Sequence, residues 1–186
     1  MTSFKPRAYA QGELNNLCGV YAVVNAVRQT VGPVRSFHGK DCRWLFGELV
    51  AYLGKTESLT RAVTKGLKRP HISKLLQVSE KALANRFGVS LSHENPFRDN
   101  SNIRLSKIIN VVKSHQRLPA TAVLIGFSGH WSVVQSVSTT GFRLLDSAGV
   151  GRLAFNDVII GIPKDPNETH WILPSWVYLL KYSVKR

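Results

Sequence analysis

Residues 11–21 read Gln11-Gly12-Glu13-Leu14-Asn15-Asn16-Leu17-Cys18-Gly19-Val20-Tyr21. The residues that follow Cys18 are apolar on nearly every side of a helix, which is typical of a buried central helix. We place this helix over residues 17–30 and expect Asn16 to cap it. Unpaired backbone N–H groups and the positive end of the helix dipole would both favour a thiolate at Cys18.

Two interpretations of Cys18 are open. If it is a nucleophile, Gly19 leaves room for a substrate beside the sulfur, and the side-chain amide of Gln11 is a candidate donor to a developing oxyanion. Otherwise Cys18 is a buried structural residue, which is the usual state of an unpaired cysteine. The stretch alone favours neither interpretation.

Composition limits what the chain can be. It has 186 residues, 44% of them hydrophobic, which predicts one globular domain over residues 1–186. Its two cysteines cannot form a disulfide framework and indicate free thiols in a reducing compartment. The first residues contain no apolar run, and no segment approaches the ~20 apolar residues of a membrane span. We therefore expect a cytoplasmic protein, or one exported without a cleavable secretory signal.

The net charge of +14 is unevenly distributed along the chain. Acidic residues are absent from residues 58–79 and from residues 100–145. Such basic stretches attract anionic partners, so we expect weak electrostatic binding to nucleic acid or to acidic surfaces. The basic residues between positions 65 and 74 are not interleaved with aromatic residues, and such a set is more often a solvated face than an RNA site.

Helical patterns come first in the chain and strand patterns second. Beyond the first helix, the apolar spacing predicts helices over residues 41–53, 58–65, 72–87 and 102–115. Residues 121–127 form a continuous apolar run that is typical of a central strand. Further strands are predicted within 89–100 and over 130–138, 141–147, 157–160 and 176–183. This order predicts an α+β fold in which N-terminal helices pack on a mostly antiparallel sheet.

A second signal lies in the strand region, where Gly129-His130-Trp131-Ser132-Val133-Val134 is followed by Phe142-Arg143-Leu144-Leu145-Asp146-Ser147. A three-residue connection at residues 139–141 would put His130 and Asp146 on one face of a hairpin. Trp131, Val133 and Val137 would then form the buried face. Asp146 would hold the imidazole in one tautomer and favour its protonated form. The alternative interpretation is a structural polar pair at the edge of a sheet.

The order Gln11, Cys18, His130, Asp146 resembles that of the papain-like cysteine peptidases, whose nucleophile opens a central helix and whose histidine and carboxylate or amide come from a later sheet. The Cys-Gly-Val-Tyr-Ala start at Cys18 is similar to that of peptidases that process double-glycine bacteriocin leaders. The His130-Trp131 and Leu145-Asp146-Ser147 segments are similar to the hairpin of Josephin-type deubiquitinases and SUMO-specific proteases. The resemblance covers residues 11–31 and 121–147, whereas residues 32–118 match no family.

This resemblance implies a papain-like fold with a Cys-His-Asp triad. Cys18 would be the nucleophile, His130 the general base and Asp146 the orienting carboxylate. Gln11 would donate to the oxyanion, together with the backbone N–H of Cys18.

The chain departs from the family in the spacing from Gln11 to Cys18, which is one residue longer than is common. Asn15 or Asn16 is therefore an alternative oxyanion donor, because ubiquitin-specific proteases use an asparagine that precedes the cysteine.

The predicted activity is hydrolysis of a polypeptide amide, either a peptide bond after small residues or an isopeptide bond to a ubiquitin-like modifier. It needs no cofactor, and no Cys or His spacing indicates a metal site. Glutamine deamidases and transglutaminase-like acyl transferases use the same thioester chemistry, and the sequence does not separate them from a peptidase. The alternative from another class is a non-catalytic module that binds nucleic acid or a partner protein on a degenerate peptidase fold.

The remaining cysteine and histidines are weaker candidates. Cys42 lies on the apolar face of the second helix and is expected in the core. His170 repeats the His-Trp pair but is not followed by Asp-Ser, so it is a distant second choice for the base. We expect His71, His93 and His115 to be solvated, because polar residues surround them in the sequence.

Overall fold

A computed structural model describes residue 8 and residues 16–56, 59–100, 102–163 and 170–183. Within these ranges the chain is α+β, with five α-helices and one seven-stranded sheet. The helices are α1 (Cys18–Val31), α2 (Gly39–Lys55), α3 (Leu59–Lys65), α4 (Arg69–Phe87) and α5 (Leu105–Gln116), with a short 3₁₀ helix at Phe155–Asp157. The strands are β1 (Ser90–Glu94), β2 (Thr121–Phe127), β3 (His130–Val137), β4 (Gly141–Leu145), β5 (Arg152–Ala154), β6 (Val158–Ile160) and β7 (His170–Ser183).

The sheet is open and almost entirely antiparallel. Its strand order is β1-β7-β2-β3-β4-β5, and β6 pairs with β7 in parallel. Strand β2 lies between β7 and β3, and all of its residues are buried, as its continuous apolar run predicts. The predicted order of helices followed by a mostly antiparallel sheet is therefore confirmed.

The two faces of the sheet build two apolar clusters. On one face, residues such as Leu124, Trp131 and Val133 pack against α1, α2 and α4. On the opposite face, residues such as Val123 and Ile125 pack against α5. The successive side chains of β2 divide between the two clusters because a strand alternates its side chains.

Helix α1 is the buried central helix that its sequence predicts, since 11 of its 14 residues are buried. Its cap differs from the prediction. The N-cap is Leu17, which makes no side-chain capping bond. Asn16 instead donates its side-chain N–H groups to the carbonyls of Val63 (3.0 Å) and Thr64 (3.2 Å), in the last turn of α3. These carbonyls lack helical partners, and so Asn16 closes α3 and not α1.

Several elements differ from the sequence prediction, among them α5, which begins at Leu105 and not at residue 102. Helix α4 begins at Arg69 and not at residue 72, because Pro70 lies in its first turn, where a missing N–H costs no helical hydrogen bond. Strand β5 was not predicted. Strand β7 begins at His170 and not at residue 176, and its first residues pair with β6.

The described helices include none that is both long and apolar enough to cross a membrane.

Candidate active site

The N-terminus of α1 brings Cys18 to the start of β3. The Gln29 side chain near the other end of the helix donates to the Val134 carbonyl at 3.3 Å. Eleven residues of helix span about 16 Å, and the four residues from His130 to Val134 span about 13 Å. Helix α1 therefore runs alongside β3 in the same direction, which places Cys18 beside His130.

A tight turn presents His130. Strands β2 and β3 pair Phe127 with His130, so the loop between them has two residues, Ser128 and Gly129. Both have positive φ, 45° and 78°, as a type I′ hairpin turn requires. The turn is fixed to β7, because Ser128 N–H donates to Trp171 O at 2.9 Å and Trp171 N–H donates to Ser128 Oγ at 3.1 Å.

The register of β3 and β4 places Asp146 on the same face as His130. Strand bounds leave a three-residue connection, residues 138–140, one residue earlier than predicted. Next to this connection Val137 pairs with Phe142, but further along Val133 pairs with Leu145. If this second register continues for one more residue, Asp146 lies opposite Ser132. Ser132 is on the same side of β3 as His130, and so Asp146 is on that side too.

The change of register is a β-bulge between Val134 and Ser136. It reverses the alternation of side chains, and so Val137 packs in the α5 cluster and not with Trp131 and Val133, as had been predicted. Without the bulge, the pairing of Val137 with Phe142 would carry Asp146 to the face opposite His130. The predicted alternation of side chains therefore gives the correct face for Asp146. It does not predict the bulge, which is what places Asp146 on that face.

Two glutamines from opposite sides of the sheet bind the backbone at this bulge. Gln29 of α1 and Gln116, the last residue of α5, both donate to the Val134 carbonyl, at 3.3 and 2.8 Å. A carbonyl with two lone pairs accepts both hydrogen bonds. These contacts tie both helical layers to the strand that carries His130, and no local sequence pattern indicates either glutamine.

His130 links the other two predicted side chains. Its Nε2 lies 2.7 Å from Asp146 Oδ2, and Cys18 is near enough to the ring to help raise its pKa. Because Nε2 faces Asp146, Nδ1 is the nitrogen left for the sulfur. Burial disfavours the charged imidazole, but the hydrogen bonds and negative charges of Asp146 and Cys18 outweigh it and raise the pKa of His130 to about 9.

Asp146 is held as a buried carboxylate, with a side chain only 1% exposed. Burial alone would raise its pKa, but the hydrogen bond to His130 and further partners lower it below the usual range. Its Oδ1 accepts the N–H groups of Ala148 (2.8 Å) and Val150 (3.1 Å), which fixes the carboxylate just after β4. The Ser132 hydroxyl makes no hydrogen bond of standard geometry, yet it is near enough to contribute to the lowered pKa of Asp146.

Cys18 and His130 line an open cleft of about 350 Å³. One wall consists of Asn16 and of Thr64, Lys65 and Gly66 at the end of α3. The other wall consists of the Ser128–Gly129 turn and Ala148. The cleft therefore gives a ligand access to the sulfur between α1, α3 and the β2–β3 hairpin.

The predicted oxyanion donors have different outcomes. Gln11 and Asn15 lie outside the described residues. Asn16 lies in the cleft, but its side-chain N–H groups already bind the carbonyls at the end of α3. The backbone N–H of Cys18, the first residue of α1, lacks a helical acceptor and points out of the helix end.

Gly19 does not have the expected role of making room for a substrate. A Cβ at this position would lie 2.7 Å from Ile72 Cδ1 and 3.1 Å from Leu67 Cδ1. A side chain here would displace the Ile72 and Leu67 side chains, because α1 packs closely against the start of α4 and the segment before it.

The other candidates lie outside the cleft. Cys42 is fully buried in the core, as predicted. The ring of His170 packs against Phe127 at 5.7 Å, and Phe127 also contacts His130, at 5.4 Å, so His170 lies one aromatic ring away from the cleft.

All three histidines expected to be solvated have partners: His71 Nδ1 accepts the backbone N–H of Lys68 at 3.3 Å, and the other two are bound to more distant residues. His93 Nδ1 lies 2.6 Å from Glu80 Oε1. His115 is buried, with Nε2 2.8 Å from the carbonyl of Leu180. Helix packing brings these partners from distant positions, and neighbours in sequence did not indicate them.

Across the described ranges, no group of three or more His, Cys, Asp or Glu side chains is arranged to hold a metal ion. Comparisons with protein-family models, with curated proteins and with solved structures found no match for this chain.

Proposed function

We propose that this chain is a papain-like cysteine hydrolase that cleaves an amide bond of a polypeptide. The observation that carries the proposal is the position of His130, which is bound to Asp146 at 2.7 Å and lines one open cleft together with Cys18, near enough for Cys18 to help raise the pKa of its ring. A buried structural cysteine needs no such partner. A nucleophile, a base and a group that orients the base are what covalent amide hydrolysis requires.

In the proposed reaction the Cys18 thiolate attacks the amide carbonyl, while His130 carries the proton. The backbone N–H of Cys18 donates to the developing oxyanion, and a donor from residues 11–16 completes this site. Protonated His130 then gives its proton to the leaving amine, which departs and leaves a thioester on Cys18. His130 next accepts a proton from the attacking water, the C–S bond of the thioester breaks, and the carboxylate product leaves the Cys18 thiolate beside protonated His130.

Asp146 keeps His130 in position throughout this cycle. As a buried carboxylate 2.7 Å from Nε2, it directs Nδ1 toward the sulfur and stabilises the imidazolium. The raised pKa of His130 means that the ring is protonated at neutral pH in the resting state.

The test is covalent labelling with electrophilic probes, one set built on short peptides and one on ubiquitin-like modifiers. We expect a single adduct on Cys18, none on the Cys18→Ala variant, and release of a free carboxylate product from the matching amide substrate. Transfer of the acyl group to an added amine in preference to water would reassign the chain to acyl transfer. Absence of any adduct from both probe sets, while the fold is intact, would contradict the proposal.

A further inference from the structure

A second cavity, of about 520 Å³, lies at the start of α4 and is surrounded by cationic side chains. Arg69, Lys74 and Arg98 line it, together with the carboxylate of Glu94. His93 also lines it but is paired with Glu80 at 2.6 Å. The three cations outnumber the carboxylate, so the cavity carries a positive charge.

Among the residues that the structure describes, these three cations are not paired with a carboxylate. Both ion pairs there involve histidine, and Arg69, Lys74 and Arg98 have no carboxylate oxygen within 4.0 Å. Arg69 donates to the Arg98 carbonyl at 3.2 Å, and Lys74 donates to Gln77 at 3.4 Å. Their charges therefore remain available to an anionic ligand.

One short segment forms a wall of both this cavity and the cleft that contains Cys18. Gly66 lines the cleft and Arg69 lines the cavity, and the Cα atoms of these two residues are at most about 11 Å apart. Two side chains from the sheet hold the segment in place. Trp131 Nε1 donates to the Leu67 carbonyl at 2.7 Å, and the Tyr178 hydroxyl donates to the Arg69 carbonyl at 3.1 Å.

We infer that this cavity is a subsite for acidic side chains of the polypeptide substrate. An extended peptide advances about 3.3 Å per residue, so Asp or Glu roughly three to six residues from the scissile amide would reach the cations. The inference rests on the proposed function, because it assigns the cavity to the substrate of the Cys18 centre. Nucleic acid is the less favoured occupant, since Tyr178 is 2% exposed and offers no open ring face for base stacking.

The test compares two double variants that lose the same charge. In one, Lys74→Gln and Arg98→Gln remove exposed cations from the cavity. In the other, Lys107→Gln and Lys113→Gln remove exposed cations from α5, on the opposite face of the sheet. Each pair of changes is made in the Cys18→Ala background, so that binding does not depend on catalysis.

Three fluorescent probes are titrated by anisotropy at fixed ionic strength: a Glu-rich peptide, its Gln-substituted counterpart and a single-stranded RNA of equal charge. We expect the Glu-rich peptide to bind best and to lose about tenfold in affinity with the cavity variant, but little with the α5 variant. Equal losses from both variants, no preference for the acidic peptide, or tighter RNA binding that depends on the cavity cations would each overturn the inference.

With Cys18 present, the same acidic peptide should slow modification of Cys18 by iodoacetamide, because it extends into the neighbouring cleft. Binding without such protection would separate the cavity from the catalytic centre and contradict the inference. If the electrophilic probes fail while the acidic peptide binds, the proposed hydrolysis is wrong. If they succeed but acidic and neutral peptides bind equally, only the subsite is wrong.

Discussion

The two cysteines of this chain both lie near the start of a helix, but their surroundings differ. Cys18 is the first residue of α1, is 7% exposed and lines an open cleft together with His130. Cys42 is the fourth residue of α2 and is completely buried. Burial raises the pKa of the Cys42 thiol, and the nearby positive charge of Arg28 offsets this only in part.

This difference shows that a helix N-terminus does not by itself make a nucleophile. At α2 the Asp41 carboxylate already accepts the backbone N–H of His38 at 2.9 Å in a capping box, and the thiol faces the apolar core. At α1 a histidine from a distant hairpin reaches the sulfur. The partner and the access, rather than the helix position, separate the two thiols.

The largest expected effect is on turnover. His130→Ala should reduce kcat/KM by about 10²–10⁴-fold, because it removes both the proton carrier and the partner of the thiolate. His170→Ala is the matched control and should retain most activity, since its ring is separated from the cleft by Phe127. Steady-state kinetics on the amide substrate measure both variants, and equal losses would show that the wrong histidine was assigned.

The reactivities of the two thiols can be compared directly by measuring their rates of alkylation. In the folded protein at neutral pH, iodoacetamide should modify Cys18 about 100-fold faster than Cys42, because only Cys18 has an imidazolium partner and an open approach. Peptide mapping by mass spectrometry identifies the site, and denaturation should make the two rates similar. Preferential modification of Cys42 in the native state would contradict the assignment.

Asp146→Asn should reduce kcat/KM less than His130→Ala does. Its effect should be visible in the pH dependence of kcat/KM. His130 must be protonated to serve the leaving amine, so kcat/KM should fall as pH rises through about 9 in the unaltered protein. Without the Asp146 charge the pKa of His130 falls, and this alkaline limb should move about 1–3 pH units lower. A pH–rate profile with an unmoved limb would show that Asp146 does not control the ionisation of His130.

The smallest expected effect is that of replacing Cys42, which should leave activity unchanged. Cys42→Ser puts a hydroxyl into an apolar site and should reduce the free energy of unfolding by about 1–3 kcal/mol. Chemical denaturation measures the loss, and Cys42→Ala serves as a control without a polar group. A large decrease in kcat from either variant, with the fold intact, would mean that the second thiol takes part in the reaction.

Local sequence pattern was enough to predict the elements that carry the site. The apolar run after Cys18 predicted a buried helix, and the run over residues 121–127 predicted the central strand. These two predictions succeeded because helix and strand periodicity depend on near neighbours in the chain. Alternation along the hairpin also put His130 and Asp146 on one face, but this was correct only because the bulge offsets a turn register that is one residue from the predicted one.

The parts that failed depend on contacts between distant elements. The bulge at Gln135 is stabilised by glutamines from two helices, and no local pattern indicates that both would reach one carbonyl. Asn16 looked like a cap for the helix that follows it, but α3 folds back to take its hydrogen bonds. The papain-like assignment, the catalytic roles and the substrate remain predictions.

The measurement that tests the central claim most directly is the rate of Cys18 alkylation as a function of pH, with and without His130. In the unaltered protein the His130 ring, with a pKa of about 9, stays protonated beside the sulfur below about pH 8, so the rate should be well above that of His130→Ala. In His130→Ala the rate at pH 6 should be much lower and should rise about tenfold per pH unit, as for an ordinary thiol. The same steep rise in both proteins would show that His130 does not activate Cys18 and would contradict the account.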